Sequence, residues 1–207
     1  MSLPADIIVI GAGGHAKVVI ATIRAAGGDV TRVLDGDAER WGQRILGVTI
    51  EGPISEDAVA NRSAVIAIGS NRARQALAGR LRASWITACH PSAIVHPSAS
   101  LGPGTVVFAG AVVQPDSQIG AHAILNTASS VDHDCVLDDF VHIGPGTRLC
   151  GGVRIGEGAL LGVGVKVAPS IVIGAWSTVG AGAVCVGDVE GDTTVVGVPA
   201  RTTEAKG

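Results

Sequence analysis

From Val95 onward an aliphatic residue returns at every sixth position: Val95, Leu101, Val107, Val113, Ile119, Leu125, Val131, Leu137, Ile143, Leu149, Ile155, Leu161, Val167, Ile173, Val179 and finally Cys185. Fifteen of these sixteen positions are Val, Ile or Leu, and no insertion breaks the count. A second series follows four residues behind, from Ala99 and Thr105 to Ala183 and Val189, and every member is small or β-branched. A period of six fits neither a helix nor a simple alternating strand. It suits a short strand plus a corner, with one large and one small side chain pointing inward on each side. Three such sides close a triangular coil, and stacked coils satisfy one another's backbone and bury one another's aliphatic rows. The pattern therefore predicts a parallel β-helix from about Val95 to Cys185. Gly follows the aliphatic position repeatedly, as in Leu101-Gly102, Ile119-Gly120 and Ile143-Gly144. Those positions are predicted to be corners that need positive φ or close backbone approach. A generic β-rich domain would not hold phase for so long.

The preceding residues follow a different rhythm. Ile7-Ile8-Val9-Ile10 reads as a buried strand, Ala16 to Ala26 as a helix, and a second strand ends at Val33-Leu34-Asp35. A further strand runs from Ala64 to Ile68, and Arg72 to Arg82 looks helical. Strands alternating with helices predict a small parallel α/β unit. The hexad phase sets the boundary near Cys89-His90-Pro91, giving an α/β domain over 1–88 and a β-helix over 89–207.

Composition sharpens this picture. Hydrophobic residues make up 47% of the chain, yet aromatics only 2%, with no Tyr and thirty Gly. The core must be built from small and β-branched side chains in thin layers, since the aromatic area that fills most cores is missing. A net charge of −3 without a basic run excludes a nucleic-acid footprint. No stretch approaches the roughly 20 apolar residues that span a bilayer. The N-terminus reads as a first strand, not as a signal peptide. Cys89, Cys135, Cys150 and Cys185 show no CxxC spacing and read as small core fillers, in keeping with a reducing, cytoplasmic setting.

Candidate chemistry lies in two places. Gly11-x-Gly13-x-x-Ala16 after a strand matches a dinucleotide fingerprint, and Asp35 lies where a ribose hydroxyl would be met. A glycine turn lets a phosphate approach backbone amides at a helix N-terminus. Nucleotide or nucleotide-sugar binding is favoured over a turn without ligand, and over NAD, because the unit is only about half a dinucleotide fold. Packing does not explain His15 inside the turn, and Gly69, Asn71 and Arg72 follow another strand's carboxyl end. On the β-helix, His133 follows the inward Val131 by two places and so points outward at a corner between Asp132 and Asp134. A carboxylate beside an imidazole orients it and raises its pKa toward the range of a general base. A solvated corner of no consequence is the alternative. His142 precedes the inward Ile143 and faces outward on a flat side. His90, His96 and His122 read as ordinary turn or surface residues, and no Cys/His cluster has metal-site spacing.

Five stretches together, Gly13-Gly14-His15-Ala16-Lys17, Ile68-Gly69-Ser70-Asn71, Leu125-Asn126-Thr127, Asp132-His133-Asp134 and Gly197-Val198-Pro199-Ala200-Arg201, resemble one acetyltransferase family in the same order along nearly the whole chain. It comprises bacterial nucleotide-sugar N-acetyltransferases, notably those forming N-acetylated GDP-perosamine and UDP-N-acetylbacillosamine, and the related sialic acid O-acetyltransferases. The resemblance implies a left-handed β-helix, a homotrimer with sites between subunits, acetyl-CoA as donor and a nucleotide-linked 4-amino sugar as acceptor. It also implies His133 as catalytic base with Asp134 as the carboxylate that raises its basicity. Where the family carries Glu or Asp, this chain has the shorter. His142, Val163 and Ala181 match acetyl-CoA positions. Gly13, Gly14, His15, Asp35, Gly36, Gly69 and Arg72 match nucleotide-sugar positions, with Asn71 beside them. Gly36 and Arg72 stand where a relative carries acidic residues suited to uracil or sugar hydroxyls, which opens the site to another base, guanine among them.

The implied chemistry is direct acyl transfer. Cys135 and Cys185 fall on inward positions, where a thiolate is costly, so no cysteine serves as an acyl carrier and no metal is required. Two other readings compete with N-acetylation. One is O-acetylation of sialic acid with the same base. The other is a non-catalytic nucleotide-binding scaffold, against which the Asp-His-Asp corner argues.

Overall fold

A computed structural model of the chain describes residues 3–203. The N-terminal unit is a six-stranded sheet in the order β3-β4-β2-β1-β5-β6. Its elements are β1 (Ile7–Ile10), α1 (Gly14–Ala25), β2 (Val30–Leu34), β3 (Arg44–Ile45), β4 (Val48–Glu51), α2 (Glu56–Val59), β5 (Ser63–Ile66), α3 (Asn71–Arg80) and β6 (Ser84–Trp85). β1 is the central strand, parallel to β2 and β5, and all four of its residues are fully buried. An unbroken aliphatic run is what a strand covered on both faces requires. Ile7 and Val9 look toward α1, while Ile8 and Ile10 pack with Val59, Leu81 and Leu34 on the other face. Helix α3 begins at Asn71 because Ser70 caps it, its hydroxyl accepting from the Ala73 amide at 3.4 Å.

β6 ends the α/β sheet, and the very next strand, Ala88–Cys89, pairs with Val106–Val107 of the β-helix. From there three parallel faces run the length of a prism. The first face carries Val106–Val107, Ile124–Leu125, His142–Ile143, Leu160–Leu161 and Thr178–Val179, the second Ile94–Val95 to Val184–Cys185, and the third Ser100–Leu101 to Val172–Ile173. Each strand pairs with the one eighteen residues on, as in Val107↔Leu125 and Leu125↔Ile143. Both inward series are buried through the middle coils, with Leu125, Val131, Ile143 and Leu161 at 0% exposure and Thr105, Ser117 and Thr147 also at 0%, while Val95, Ala99, Leu101 and Ile171 are half-buried. Thr105 and Thr147 donate their hydroxyls to carbonyls fifteen residues on, at Gly120 and Gly162, both at 2.8 Å, whereas the buried Ser129 hydroxyl has no partner among the described residues. The last coil is two residues short, Thr178 pairing with Thr194 and Ile173 with Val189.

The corner glycines divide into two kinds. At Gly102, Gly120 and Gly156 an added Cβ would lie 2.5 Å from an atom of the next coil, so this row serves close stacking. Positive φ falls two residues later, at Gly104, Gly110 and Gly146 but also at Asp116, Asp134 and Phe140. The cysteines divide too. Cys135 and Cys185 are buried and Cys89 is half-buried, but Cys150 is exposed, which corrects its reading as a core filler. It follows the inward Leu149 and therefore points outward by alternation.

The two units share one core. Helix α1 lies between the α/β sheet and the first face, and Ala16, Val19, Ile20 and Ile23 bury with Ala88, Val106, Phe108 and Ile124. The outward row of the first face is thus covered at Val106 and Ile124 and half-covered at His142, Leu160 and Thr178.

Candidate active site

His133 and Asp134 occupy the corner between the second and third faces. Asp134 has a φ of 57°, a left-handed conformation that Asp tolerates better than most residues. From there its carboxylate accepts from Nδ1 of His133 at 2.7 Å, so the shorter acid does reach. Asp132 Oδ1 accepts from the His133 amide at 2.8 Å. The hydrogen bond from Asp134 is the largest cause raising the imidazole pKa above its usual 6.5, followed by the charge of Asp132. With Nδ1 committed, Nε2 is the free, basic nitrogen. The ring lies over Gly151, where a Cβ would come within 2.5 Å of Cε1 and 2.6 Å of Nε2. Cys150, Gly151, Gly152, Pro169 and Ser170 complete a groove of about 500 Å³ around it. Gly151 was not singled out from the sequence, but it stands eighteen residues after His133, one coil on. The same spacing pairs Gly104 with His122 and Gly158 with Trp176.

The glycine turn lines a second pocket of about 390 Å³ with Gly11, Gly13, Gly14, His15, Asp35, Arg40 and Gly69. Gly11, at φ 106°, is held against Ala67 and Ile68, where a Cβ would meet Ile68 at 2.8 Å. An added Cβ at Gly13, Gly14, Gly36 or Gly69 would meet nothing within 4 Å, so those backbones border open space. No side chain caps α1 and no acidic residue stands in its first turn, which leaves its amides to a ligand. Asp35 is anchored: Oδ2 accepts from the Ala12 amide at 2.6 Å and Oδ1 from Asp37 at 2.9 Å. Arg40 bridges Ala12 O and Asp37 at 3.0 and 3.2 Å.

Where the α/β unit meets the first face, His15 and His142 have ring centroids 6.2 Å apart, with Phe108 5.4 Å from His15. Asn126 Oδ1 accepts from the Thr127 amide, which turns its Nδ2 toward Nε2 of His142 at 3.2 Å. That donor fixes the His142 proton on Nδ1. Nδ1 of His142 and Nε2 of His15 are buried without a hydrogen-bond partner among the described residues. Burial first, and then the charge of Arg74, lower both imidazole pKa values to about 4. Val163 and Ala181 stand on the corner that follows the first face, the former 56% exposed. They are eighteen residues apart, and the Gly182 amide bonds to Val163 O at 2.8 Å.

Asn71 and Arg72 go separate ways. The Asn71 carboxamide is buried and donates to Gly158 O and Ala159 O at 2.9 and 3.2 Å. Arg72 is exposed, 4.4 Å above the Trp176 ring, with Asp192 at 3.6 Å. His122 corrects its reading as an ordinary turn or surface residue. It is 5% exposed, stacked on Phe140 at 5.4 Å and edge-on to Trp85 at 4.9 Å, and its pKa is lowered to about 4, mainly by burial. Its position is a corner, as the phase requires, but a corner that the α/β unit covers.

The His133 corner is the vertex opposite the first face, so within one chain it lies across the prism from the glycine turn and His142. His133 and His142 are nine residues apart, half of an eighteen-residue coil. With six residues to a side, the prism is on the order of 15 Å deep.

A glycine-turn α/β unit seated on a hexapeptide-repeat β-helix, with an oriented histidine on one corner, defines a nucleotide-sugar-type acyltransferase scaffold. Residues 6–81 match the family described as PglD N-terminal domain. Perosamine N-acetyltransferase from Caulobacter crescentus, solved as a histidine-to-asparagine mutant with CoA and GDP-perosamine, is 42% identical. It covers 96% of this chain and 97% of its own, with a TM-score of 0.90. The acetyltransferase domain of PglB from Neisseria gonorrhoeae FA1090, solved with acetyl coenzyme A, is 38% identical over 97% of this chain and 100% of its own, with a TM-score of 0.86. UDP-N-acetylbacillosamine N-acetyltransferase from Bacillus subtilis (strain 168) is 39% identical over 113 residues, 49% of this chain and 50% of that protein. The aligned segment thus spans about half the length of that curated relative. This chain belongs to the family of bacterial nucleotide-sugar N-acetyltransferases, as its motifs led us to expect. No helix among the described residues is long and apolar enough to cross a membrane.

Proposed function

We propose that this chain is an acetyl-CoA-dependent N-acetyltransferase acting by direct transfer on the 4-amino group of a nucleotide-linked amino sugar, with His133 as general base and Asp134 as the carboxylate that orients it. The observation that carries the reading is the 2.7 Å His133–Asp134 hydrogen bond, which leaves Nε2 free on an exposed corner. The amine nitrogen attacks the thioester carbonyl while Nε2 takes its proton. The tetrahedral intermediate then expels CoA as thiolate, which recovers the proton from the imidazolium. A backbone amide at a glycine corner holds the oxyanion. The pocket of the glycine turn takes the nucleotide sugar through Gly13, Gly14, His15, Asp35, Gly36 and Gly69, and Arg72, which lines a separate hollow that shares Gly69 with it, meets the ligand from there. Acetyl-CoA runs along the first face past His142, Val163 and Ala181. Because the His133 corner and the glycine turn of one chain are on opposite sides of its prism, the working site lies between subunits of a homotrimer, each supplying one half. Residues 1–88 form the acceptor-binding domain and 89–207 the donor-binding and catalytic domain of a cytoplasmic enzyme.

CoA release measured across a panel of GDP- and UDP-linked 4-amino sugars tests the proposal. His133→Ala is expected to lower turnover by roughly 10²-fold or more while the assembly stays intact. Near-normal turnover in that variant, or no CoA release from any member of the panel, refutes it.

A further inference from the structure

Arg74 is among the largest fully buried side chains in the protein, at 1% exposure, and among the described residues it makes no ion pair. Oxygens of the backbone and of one carboxamide solvate it instead. Nε donates to His122 O at 2.8 Å, Nη1 to Ile68 O and Gly69 O at 3.0 and 3.2 Å, and Nη2 to Phe140 O and Asn71 Oδ1 at 2.8 and 3.0 Å. Asn71 passes the connection on to Gly158 O. His122, Phe140 and Gly158 are the same corner on three successive coils, eighteen residues apart. Ile68 and Gly69 belong to the wall of the glycine-turn pocket. One guanidinium, through one neighbour, therefore ties that wall to three storeys of the β-helix.

Stability alone is a poor account of such a residue. A buried cation without a counter-charge is expensive, and here that cost is offset by five donors that all meet oxygens on the two sides of one seam, so the same bonds that stabilise it also fix how the two units are placed. Arg74 closes the seam where His15 and His142 meet, each with a buried ring nitrogen that lacks a partner. Those two nitrogens belong to different units of the chain, so their separation depends on how the units are docked.

We propose that Arg74 is a positioning residue of the acyl-transfer site: it fixes the glycine-turn unit on the β-helix so that His15, on the acceptor side, and His142, on the acetyl-CoA side, face each other at the spacing that transfer between the two requires. The inference rests on the acetyltransferase reading. Arg74 touches no reacting atom; it acts through the two histidines. Its charge works in the same direction. His142 faces Arg74, His15, Asn126 and the Gly69 backbone, and His15 faces Arg74, His142 and Phe108. Burial and then Arg74 hold both rings neutral at neutral pH, as hydrogen-bonding groups without charge.

Arg74→Met, Arg74→Lys and Asn71→Ala separate fork from charge. Each is first tested for a native circular dichroism spectrum and assembly size, and the titration of His15 and His142 is then followed by NMR. Arg74→Met is expected to lower kcat/KM for the nucleotide sugar by roughly 100-fold, the effect of an ångström-scale misplacement, and to move both imidazole titrations upward. Arg74→Lys is expected to keep the low titrations and still lose most of kcat/KM, because charge remains and the fork is gone. Asn71→Ala loses less, in the same direction. Folded Arg74→Met with kcat/KM within about threefold of the parent overturns the proposal, and so does failure of all three variants to fold, which assigns Arg74 to stability alone. Absence of turnover in the parent chain sinks the acetyltransferase reading instead, and is seen before any variant is made.

Discussion

Gly151→Ala adds one methyl group beneath the imidazole and alters no group that takes part in the proposed chemistry. Its Cβ would sit 2.5 Å from His133 Cε1, 2.6 Å from Nε2 and 3.1 Å from Nδ1. Carbon atoms in contact settle at roughly 3.5–4.0 Å, so the ring must withdraw by about 1 Å. Gly151 does not have a positive φ, so the backbone admits alanine without strain. The His133 side chain is 60% exposed and can move without disturbing the core. Moving strains the 2.7 Å hydrogen bond to Asp134 and displaces Nε2 from the acceptor amine. A misplacement of about 1 Å costs on the order of 10²-fold in rate. Gly151→Ala is therefore expected to lower kcat/KM for the nucleotide sugar by one to two orders of magnitude, with a melting temperature within about 2 °C of the parent. CoA release and differential scanning fluorimetry read the two quantities on the same preparation. Unchanged melting with kcat/KM within about threefold would show that the position of this ring does not matter to catalysis, and would refute His133 as the base.

The pH dependence supplies further tests. A general base works unprotonated, so kcat/KM should fall on acidification with a midpoint above the ordinary histidine value of 6.5, because Asp134 and Asp132 raise it. Asp134→Asn removes the largest cause, and the acid limb should move to lower pH; a limb that stays put means another group titrates. Stability should follow the opposite set of histidines. His15, His122 and His142 have folded pKa values near 4 against 6.5 unfolded, chiefly through burial. Between those values the unfolded chain binds more protons, so stability is full above about pH 6.5 and declines as pH falls toward 4, by up to about 1.4 kcal/mol per pH unit for each histidine. Thermal melts across that window check the slope, and a flat profile contradicts the burial of these rings.

The β-helix was legible because one six-residue period governs both inward rows, and stacking leaves little else for the sequence to decide. β1 stood out for the same reason, as an aliphatic run buried on both faces. The β3–β4 hairpin was not legible: its turn is Leu46-Gly47, with φ 44° and 83°, and it lacks the Asn-Gly or Asp-Gly signature of such turns. α2 is a single turn and too short to show a period. At the site, His133 and Asp134 could be read together because they are adjacent in the chain. Arg74 could not, since an arginine on a short polar helix reads as solvated, and its two acceptors on the β-helix lie 48 and 66 residues away. His122 was misjudged because the phase tells which way a corner points but not what another unit lays over it. Cys150 shows the converse, since its outward direction could have been read from the phase alone.

The reach of helix α3 across three storeys limits how this chain can change in length. Adding six residues to the β-helix would turn everything downstream by one side of the triangle, while eighteen would restore the faces and lengthen the prism by one storey of about 4.8 Å. Whole storeys could be gained after Trp176, beyond the grip of α3. Between His122 and Gly158 even a whole storey would part carbonyls that Arg74 and Asn71 hold together, so α3 acts as a caliper set to one spacing. Homologues of differing length should therefore carry their extra coils toward the C-terminal end of the prism and keep the stretch beneath α3 constant.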